Sequence, residues 1–378
     1  MGLGPAPERK QAVRSLGRRT AVVLCSAALV ATAAACSSST NSGGSSSSGS
    51  GANSASGATY TAAEVAGGSG VNKVVPLFAV PKSLPSLRLA FINPGLNEPF
   101  FAAWNQGMQA AAKFYKVQLD IADDNLTYDD TLSKWQQLAV KSPDVLGGGA
   151  GAMNAPTVSG ASAAKVPVVL IDQTQAGTKS FGVPDQQAGQ LAMQTLTNPI
   201  KQKMAGPWKG KTLYVVGITA PQCTPCVARI EASFALARST FNIPASQTVQ
   251  ISQQATDPTV GSQQVFTDFL TAHPNDVVAV VSYGDETVVG AVHGAKAAGR
   301  SADVLAVSDG GDLAARQALR DPTLNTMFIA SVDFQPYAEG WNWVEAAIAT
   351  HLGKPFSQYK ISRVLTPSNV NTYYPADK

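Results

Sequence analysis

From residue 87 onward, short runs of uninterrupted apolar residues alternate with longer stretches whose apolar residues recur every third or fourth position. The pattern is clearest at 276–311. Residues 277–281 read as a buried strand, 286–298 as a helix closed by Gly299, and 304–307 as a second buried strand. Two uniformly apolar strands around one amphipathic helix form a βαβ unit with parallel strands. A carboxylate follows each strand: Asp285 after the first, Asp309 after the second. Ligands of open α/β sheets sit beyond the carboxyl ends of the strands, so both acceptors point at one crevice. The competing reading is that each caps the helix that follows it.

The same alternation covers the rest of the chain. Strands are expected at 87–93, 118–122, 144–151, 166–172, 181–185, 211–218, 248–253 and 327–333. Helices are expected at 99–115, 131–140, 186–204, 227–241, 260–272 and 336–352. Pro99 suits a first helical turn, with Asn97 as its cap. Phe101, Trp104, Met108 and Ala112 share one face of that helix and read as core. Glu98 and Phe100 stand at the helix mouth, where an aromatic face can stack on the apolar C–H face of a sugar.

The first 58 residues follow a different pattern. Five basic residues precede an uncharged apolar run at 21–35 that ends at Cys36. This has the layout of a secretory signal, 1–35, and is too short to span a membrane. Ala33-Ala-Ala-Cys36 resembles a bacterial lipobox, which would make Cys36 the lipidated first residue of the mature protein. Ala33 stands where Leu is preferred, which leaves ordinary cleavage after Ala35 as the alternative. Arg18-Arg19 raises the twin-arginine export route as an alternative to the general one. Residues 36–58 are almost wholly Ser, Gly, Ala, Asn and Thr and read as a tether. Residues 59–86 read as a poorly structured lead-in.

Charge and chemistry narrow the function. The chain carries a formal +3, the signal +4, and the mature part therefore −1. No basic patch suggests nucleic acid, and no later run reaches membrane-span length. About 290 residues remain after the tether, enough for two α/β domains. His273, His293 and His351 lack metal-ligand spacing, and no Gly-x-Ser-x-Gly elbow occurs. No metal, cofactor or catalytic residue is expected, and the chain does not read as an enzyme. Cys25 leaves with the signal, and Cys223 and Cys226 form an even pair suited to a disulfide in an exported protein. A strand, Cys-x-Pro-Cys and a helix also describe a thiol–disulfide oxidoreductase, in which a thiolate gains nucleophilicity at a helix N-terminus. The regular βα repeats and the lack of a separate redox-sized domain favour a local disulfide that stiffens the loop presenting Arg229.

Several segments carry a family resemblance in their order: Asn97-Glu-Pro-Phe-Phe, Val168-Val-Leu-Ile-Asp-Gln, Val183-Pro-Asp-Gln-Gln-Ala-Gly, Gly284-Asp-Glu, Val307-Ser-Asp-Gly and Phe334-Gln-Pro-Tyr. Together they resemble the type I periplasmic sugar-binding family, from about 87 to 365. The resemblance implies an α/β fold of two doubly wound parallel-sheet lobes joined by a three-crossing hinge. Lobe one would comprise 87–185 plus 335–353, and lobe two 186–334 plus 354–378, with ligand held between them. It implies ligand contacts from Glu98, Phe100 and Phe101, a hydroxyl-binding carboxylate at Asp172, an arginine at Arg229, and lobe-two contacts at Asp285 and Asp309. Glu98 stands where Asn is common, Gln173 where a second Arg is common in ribose binders, and Phe334, beside Asp333, where a polar residue is common. Arg229 is one position off the usual spacing to Phe234. These departures put ribose itself in doubt and leave a polar, polyol-like ligand. The family role implies a monomeric lipoprotein on the outer face of the cell membrane, delivering ligand to an ABC permease. A ligand-sensing accessory protein for a membrane receptor shares the fold and is the alternative.

Overall fold

The computed structural model describes residues 58–377 apart from 70–73, 128–129, 221–222, 254, 256 and 360–362. The expected signal, the lipidated Cys36 and the tether up to residue 57 lie outside the described residues.

The apolar runs become strands and the amphipathic stretches become helices laid across them. The first half of the described chain holds α1 (Ala62–Gly68), β1 (Arg88–Asn93), α2 (Pro99–Tyr115), β2 (Gln118–Asp123), α3 (Thr131–Ala139), β3 (Val145–Gly149), α4 (Ala155–Ala163), β4 (Val168–Ile171) and β5 (Lys179–Phe181). Then follow α5 (Asp185–Ala205), β6 (Leu213–Thr219), α6 (Thr224–Phe241), β7 (Thr248–Ser252), α7 (Pro258–Ala272), β8 (Val277–Ser282) and α8 (Asp285–Ala297). The chain ends with β9 (Val304–Gly310), α9 (Leu313–Arg320), β10 (Phe328–Asp333), α10 (Pro336–His351), β11 (Val364–Leu365) and α11 (Val370–Tyr373).

Two sheets result, ordered β2-β1-β3-β4-β5 and β7-β6-β8-β9-β10-β11. The first five strands of the second sheet repeat the order of the first. All pairings are parallel except that of β10 with β11. Strands such as β3, β4, β8 and β9 are buried at every residue, which accounts for their uniformly apolar sequence. Strand order reverses between β1 and β3 and again between β6 and β8, and each reversal opens a crevice at the strand ends.

Helix α10 returns from the second sheet to pack on α2. The two helices meet through glycines. A Cβ on Gly107 would lie 2.0 Å from the Tyr337 carbonyl oxygen, and one on Gly340 2.0 Å from that of Trp104. Trp341 and Trp343 are fully buried on α10. Among the described residues no helix is long and apolar enough to cross a membrane.

Four local expectations differ from the fold. The cap of α2 is Glu98 rather than Asn97. Strand β5 lies at Lys179–Phe181, earlier than the expected 181–185. Helices α4 and α9 have no counterpart among the expected elements. The first is built mostly of Ala, Ser, Thr and Gly, whose small side chains leave almost no apolar stripe to read. Residues 59–69 and 74–86 are ordered rather than poorly structured. Helix α1 starts with a reciprocal capping box between Thr61 and Glu64. Val65, Val74, Leu77 and Val80 are buried, and Tyr60 packs on Phe114 and Tyr115.

A buried carboxyl anchors this segment. Glu345 on α10 accepts from the Leu77 amide (2.7 Å), the Tyr115 hydroxyl (2.7 Å), Trp341 Nε1 (3.0 Å) and Asn342 Nδ2 (3.1 Å). Asn342 also donates to the Val75 carbonyl at 2.9 Å. Removing the acceptor leaves several buried donors unsatisfied. Glu345→Leu is expected to cost about 3 kcal/mol or more in urea unfolding and to expose 59–86 to protease. A loss below about 1 kcal/mol would show that the anchor is not needed.

Candidate functional site

The strand ends of both sheets, with the residue that follows β10, line one cavity of about 370 Å³. Glu98, Phe100 and Phe101 enter it from the turn between β1 and α2, and Asp172 from the end of β4. From the other sheet come Arg229 in α6, Tyr283, Asp285 and Glu286 after β8, and Asp309 and Asp312 around the end of β9. Phe334, after β10, closes the wall.

Arg229 is the one guanidinium among the described residues of this wall and is 7% exposed. Its Nε donates to Asp185 Oδ1 at 2.9 Å, and its guanidinium lies 4.7 Å from the centre of the Phe334 ring. Burial works against its charge, but Asp172, Asp185 and Asp309 outweigh that cost and raise its pKa above the ordinary value. Burial pushes Asp172 up to about 6 and Asp309 up to about 7, with Arg229 opposing the shift in each. Asp172 holds a left-handed backbone (φ 49°), and its Oδ1 accepts from the Val183 amide at 2.7 Å. Asp309 Oδ1 is buried with no hydrogen-bond partner, and the cap of α9 is Asp312 rather than Asp309.

Asp285 does not cap its helix either; Gly284 is the cap residue. Asp285 accepts from the hydroxyls of Ser308 and Ser331 and, at 2.9 Å, from the Asp312 amide. Its oxygens therefore hold β9, β10 and the α9 cap together at the cavity wall. The turn beside it admits only glycine: Gly310 has φ +145°, and a Cβ there would lie 2.4 Å from Asp285 Oδ2. Asp312 caps α9 through Oδ1, which accepts from the Ala315 amide at 3.1 Å.

A second carboxyl group gathers opposite Arg229. Burial, then the charge of Asp312, pushes Glu98 up to about 8. Glu286 is raised well above its ordinary value by burial and by Glu98, and Asp312 by burial and by Glu286. Tyr283 borders the group and accepts from Gln253 Nε2 at 3.1 Å. Among the described residues no group of three or more His, Cys, Asp or Glu is placed to hold a metal ion.

Eight of the ten expected ligand residues line the cavity. Gln173 and Asp333 do not. Gln173 binds the β3–α4 loop instead, accepting from the amides of Gly151 and Met153 (3.2 Å each) and donating to the Met153 carbonyl at 2.6 Å. Asp333 is fully buried, paired with Arg363 and accepting from the Tyr374 hydroxyl at 2.9 Å and the Gln335 amide at 2.9 Å. Glu286, Asp312, Tyr283 and Gln253 line the cavity without having been singled out from the sequence. Three of them lie within three residues of a named carboxylate, so reading whole strand–helix turns would have found them.

Cys223 and Cys226 form a disulfide at the start of α6, with Cα atoms 5.3 Å apart. Both are at most 5% exposed, and Cys223 Sγ lies 3.8 Å from the Ala150 carbonyl oxygen on the other side of the cavity.

Comparison with known proteins gives matches over most of the described chain. The periplasmic binding protein domain family matches residues 89–355. The ribose import binding protein of Salmonella typhimurium is 28% identical over 299 residues, covering 76% of this chain and 88% of that protein. An Agrobacterium vitis ABC transporter solute-binding protein solved with allitol superposes with a TM-score of 0.65 at 18% identity, over 78% of this chain and 99% of that one. A Bacillus halodurans solute-binding protein solved with myo-inositol gives 0.65 at 15% identity, with the same coverage.

The raised carboxyls carry a pH consequence. Glu98, Asp172 and Asp309 keep protons in the fold that the unfolded chain releases at lower pH. The stability they confer is full below about pH 4 and is lost as pH rises through about 6 to about 8. Urea unfolding of the ligand-free protein between about pH 5 and about pH 9 is expected to show falling stability, with a shallower fall in Glu98→Gln. A flat profile would contradict the buried acidic wall.

Proposed function

This chain belongs to the periplasmic binding protein domain family, and we propose that it captures a sugar or polyol outside the cytoplasm and delivers it to an ABC importer. The observation that carries this reading is the cavity itself. Aromatic faces, one arginine and several carboxylates meet there at the carboxyl ends of two parallel sheets, a composition that recognises polyhydroxylated molecules. The ribose import relative and the relatives solved with allitol and myo-inositol support the same class.

In this reading the segments 87–185 with 335–353, and 186–334 with 354–378, are the lobes that close on ligand about their crossings. Phe100 and Phe101 face the apolar side of the ligand, and Asp172, Asp309 and Arg229 read its hydroxyls. Gln173 and Asp333 act one step back, holding the loop and the crossing that carry these groups. The protein works as a monomer, tethered through Cys36 to the outer face of the membrane, and the permease receives the closed form. Burial of both cysteines supports a structural disulfide over a redox enzyme, because a substrate protein cannot reach the sulfurs.

A thermal-shift screen of the purified protein against pentoses, hexoses, alditols and inositols tests the reading. A bound ligand at about a hundredfold excess over its Kd adds about 2.7 kcal/mol of stability, which is a clear rise in Tm. Arg229→Leu is expected to weaken binding of the hit at least about tenfold. No shift across the whole panel would sink the proposal.

A further inference from the structure

The cavity wall is charged unevenly. Glu98, Asp172, Asp285, Glu286, Asp309 and Asp312 line it, with Arg229 the only cationic side chain among the described lining residues. Arg229 is already shared among Asp172, Asp185 and Asp309. Asp285 is satisfied by two hydroxyls and an amide. That leaves Glu98 from one sheet and Glu286 and Asp312 from the other, close enough to oppose one another's ionisation and without a cation.

A second observation concerns the individual oxygens. Glu286 Oε1 and Asp312 Oδ2 are buried oxygens with no donor, on residues only 8% and 1% exposed. Gln253 Oε1, on a residue 5% exposed, is a third such acceptor in the same wall. Buried acceptors are normally satisfied, and each exception calls for a partner. A hydroxyl offers one donor and no charge, whereas an ammonium offers three donors and a full positive charge. No metal geometry exists among the described residues. Tyr283, Phe100 and Phe101 bound the cavity, and aromatic faces of this kind attract an organic cation.

We propose that the ligand carries a protonated amine on a polyhydroxylated body, an amino sugar or aminated polyol, with its ammonium seated among Glu98, Glu286 and Asp312. The hydroxyls then face Asp172, Asp309 and Arg229. The assignment deepens the sugar-capture reading and rests on it.

Calorimetric titration of the purified protein near neutral pH, with 2-amino-2-deoxyhexoses, 1-amino-1-deoxyalditols and their neutral parents, tests it. At least one amine is expected to bind about tenfold or more tightly than its own parent. Glu286→Gln, which keeps the shape and one acceptor but cannot ionise against an ammonium, is expected to abolish that preference, read as the ratio of amine to parent Kd within the variant. Glu98→Gln makes the same test from the other sheet should the first variant fail to fold. Parents that bind as well as the amines overturn the inference and leave sugar capture standing. A preference that survives in both variants overturns the ammonium seat. Failure of amines and parents alike removes the sugar-capture reading, and the inference falls with it.

Discussion

The Arg229 guanidinium is the point on which the two halves of the molecule converge. It bonds Asp185 at the first residue of α5, stacks on Phe334 where the chain turns back toward α10, and sits in the fields of Asp172 from one sheet and Asp309 from the other. Those four partners lie at two chain crossings and two strand ends. A buried guanidinium left without partners would be costly, so each partner constrains the placement of its own element. The close approach of α5 to α6 serves the same end. Gly189 lets the helices meet so closely that a Cβ there would lie 1.9 Å from the Arg229 carbonyl oxygen.

Around that centre the cavity divides into two chemical halves. On one side a cation is matched by carboxylates that border an aromatic ring. On the other, carboxyls face each other across the two sheets, and burial holds their protons to unusually high pH. Asp285 stands between the halves and does different work. With its oxygens occupied by Ser308, Ser331 and the Asp312 amide, it acts as a strut for the acidic wall.

Much of this was legible in the sequence because parallel strands buried on both faces leave an unmistakable signature. Val277–Ser282 and Val304–Gly310 sit where the apolar runs predict them, and Asp285 and Asp309 stand at their ends. Helix α4 escaped because its small side chains form no stripe, and α9 because it is only eight residues long. Residues around Leu77 are tied down by Glu345, some 260 residues later, and no local pattern reports so distant an acceptor. Gln173 and Asp333 show a different limit. Residue type and position placed them near the ligand, but their hydrogen bonds turn them toward backbone and toward Arg363.

The docking of 59–86 also has a mechanical meaning. Its contacts are made with α2, with α10 and, through the Ser357 amide that donates to the Leu77 carbonyl at 2.9 Å, with the stretch that follows α10. Tension entering the fold along the chain at residue 58 would thus be resisted first by the paired helices α2 and α10. The Ser357 bond carries part of that load past α10, into the stretch that leads back toward β11 at the edge of the second sheet.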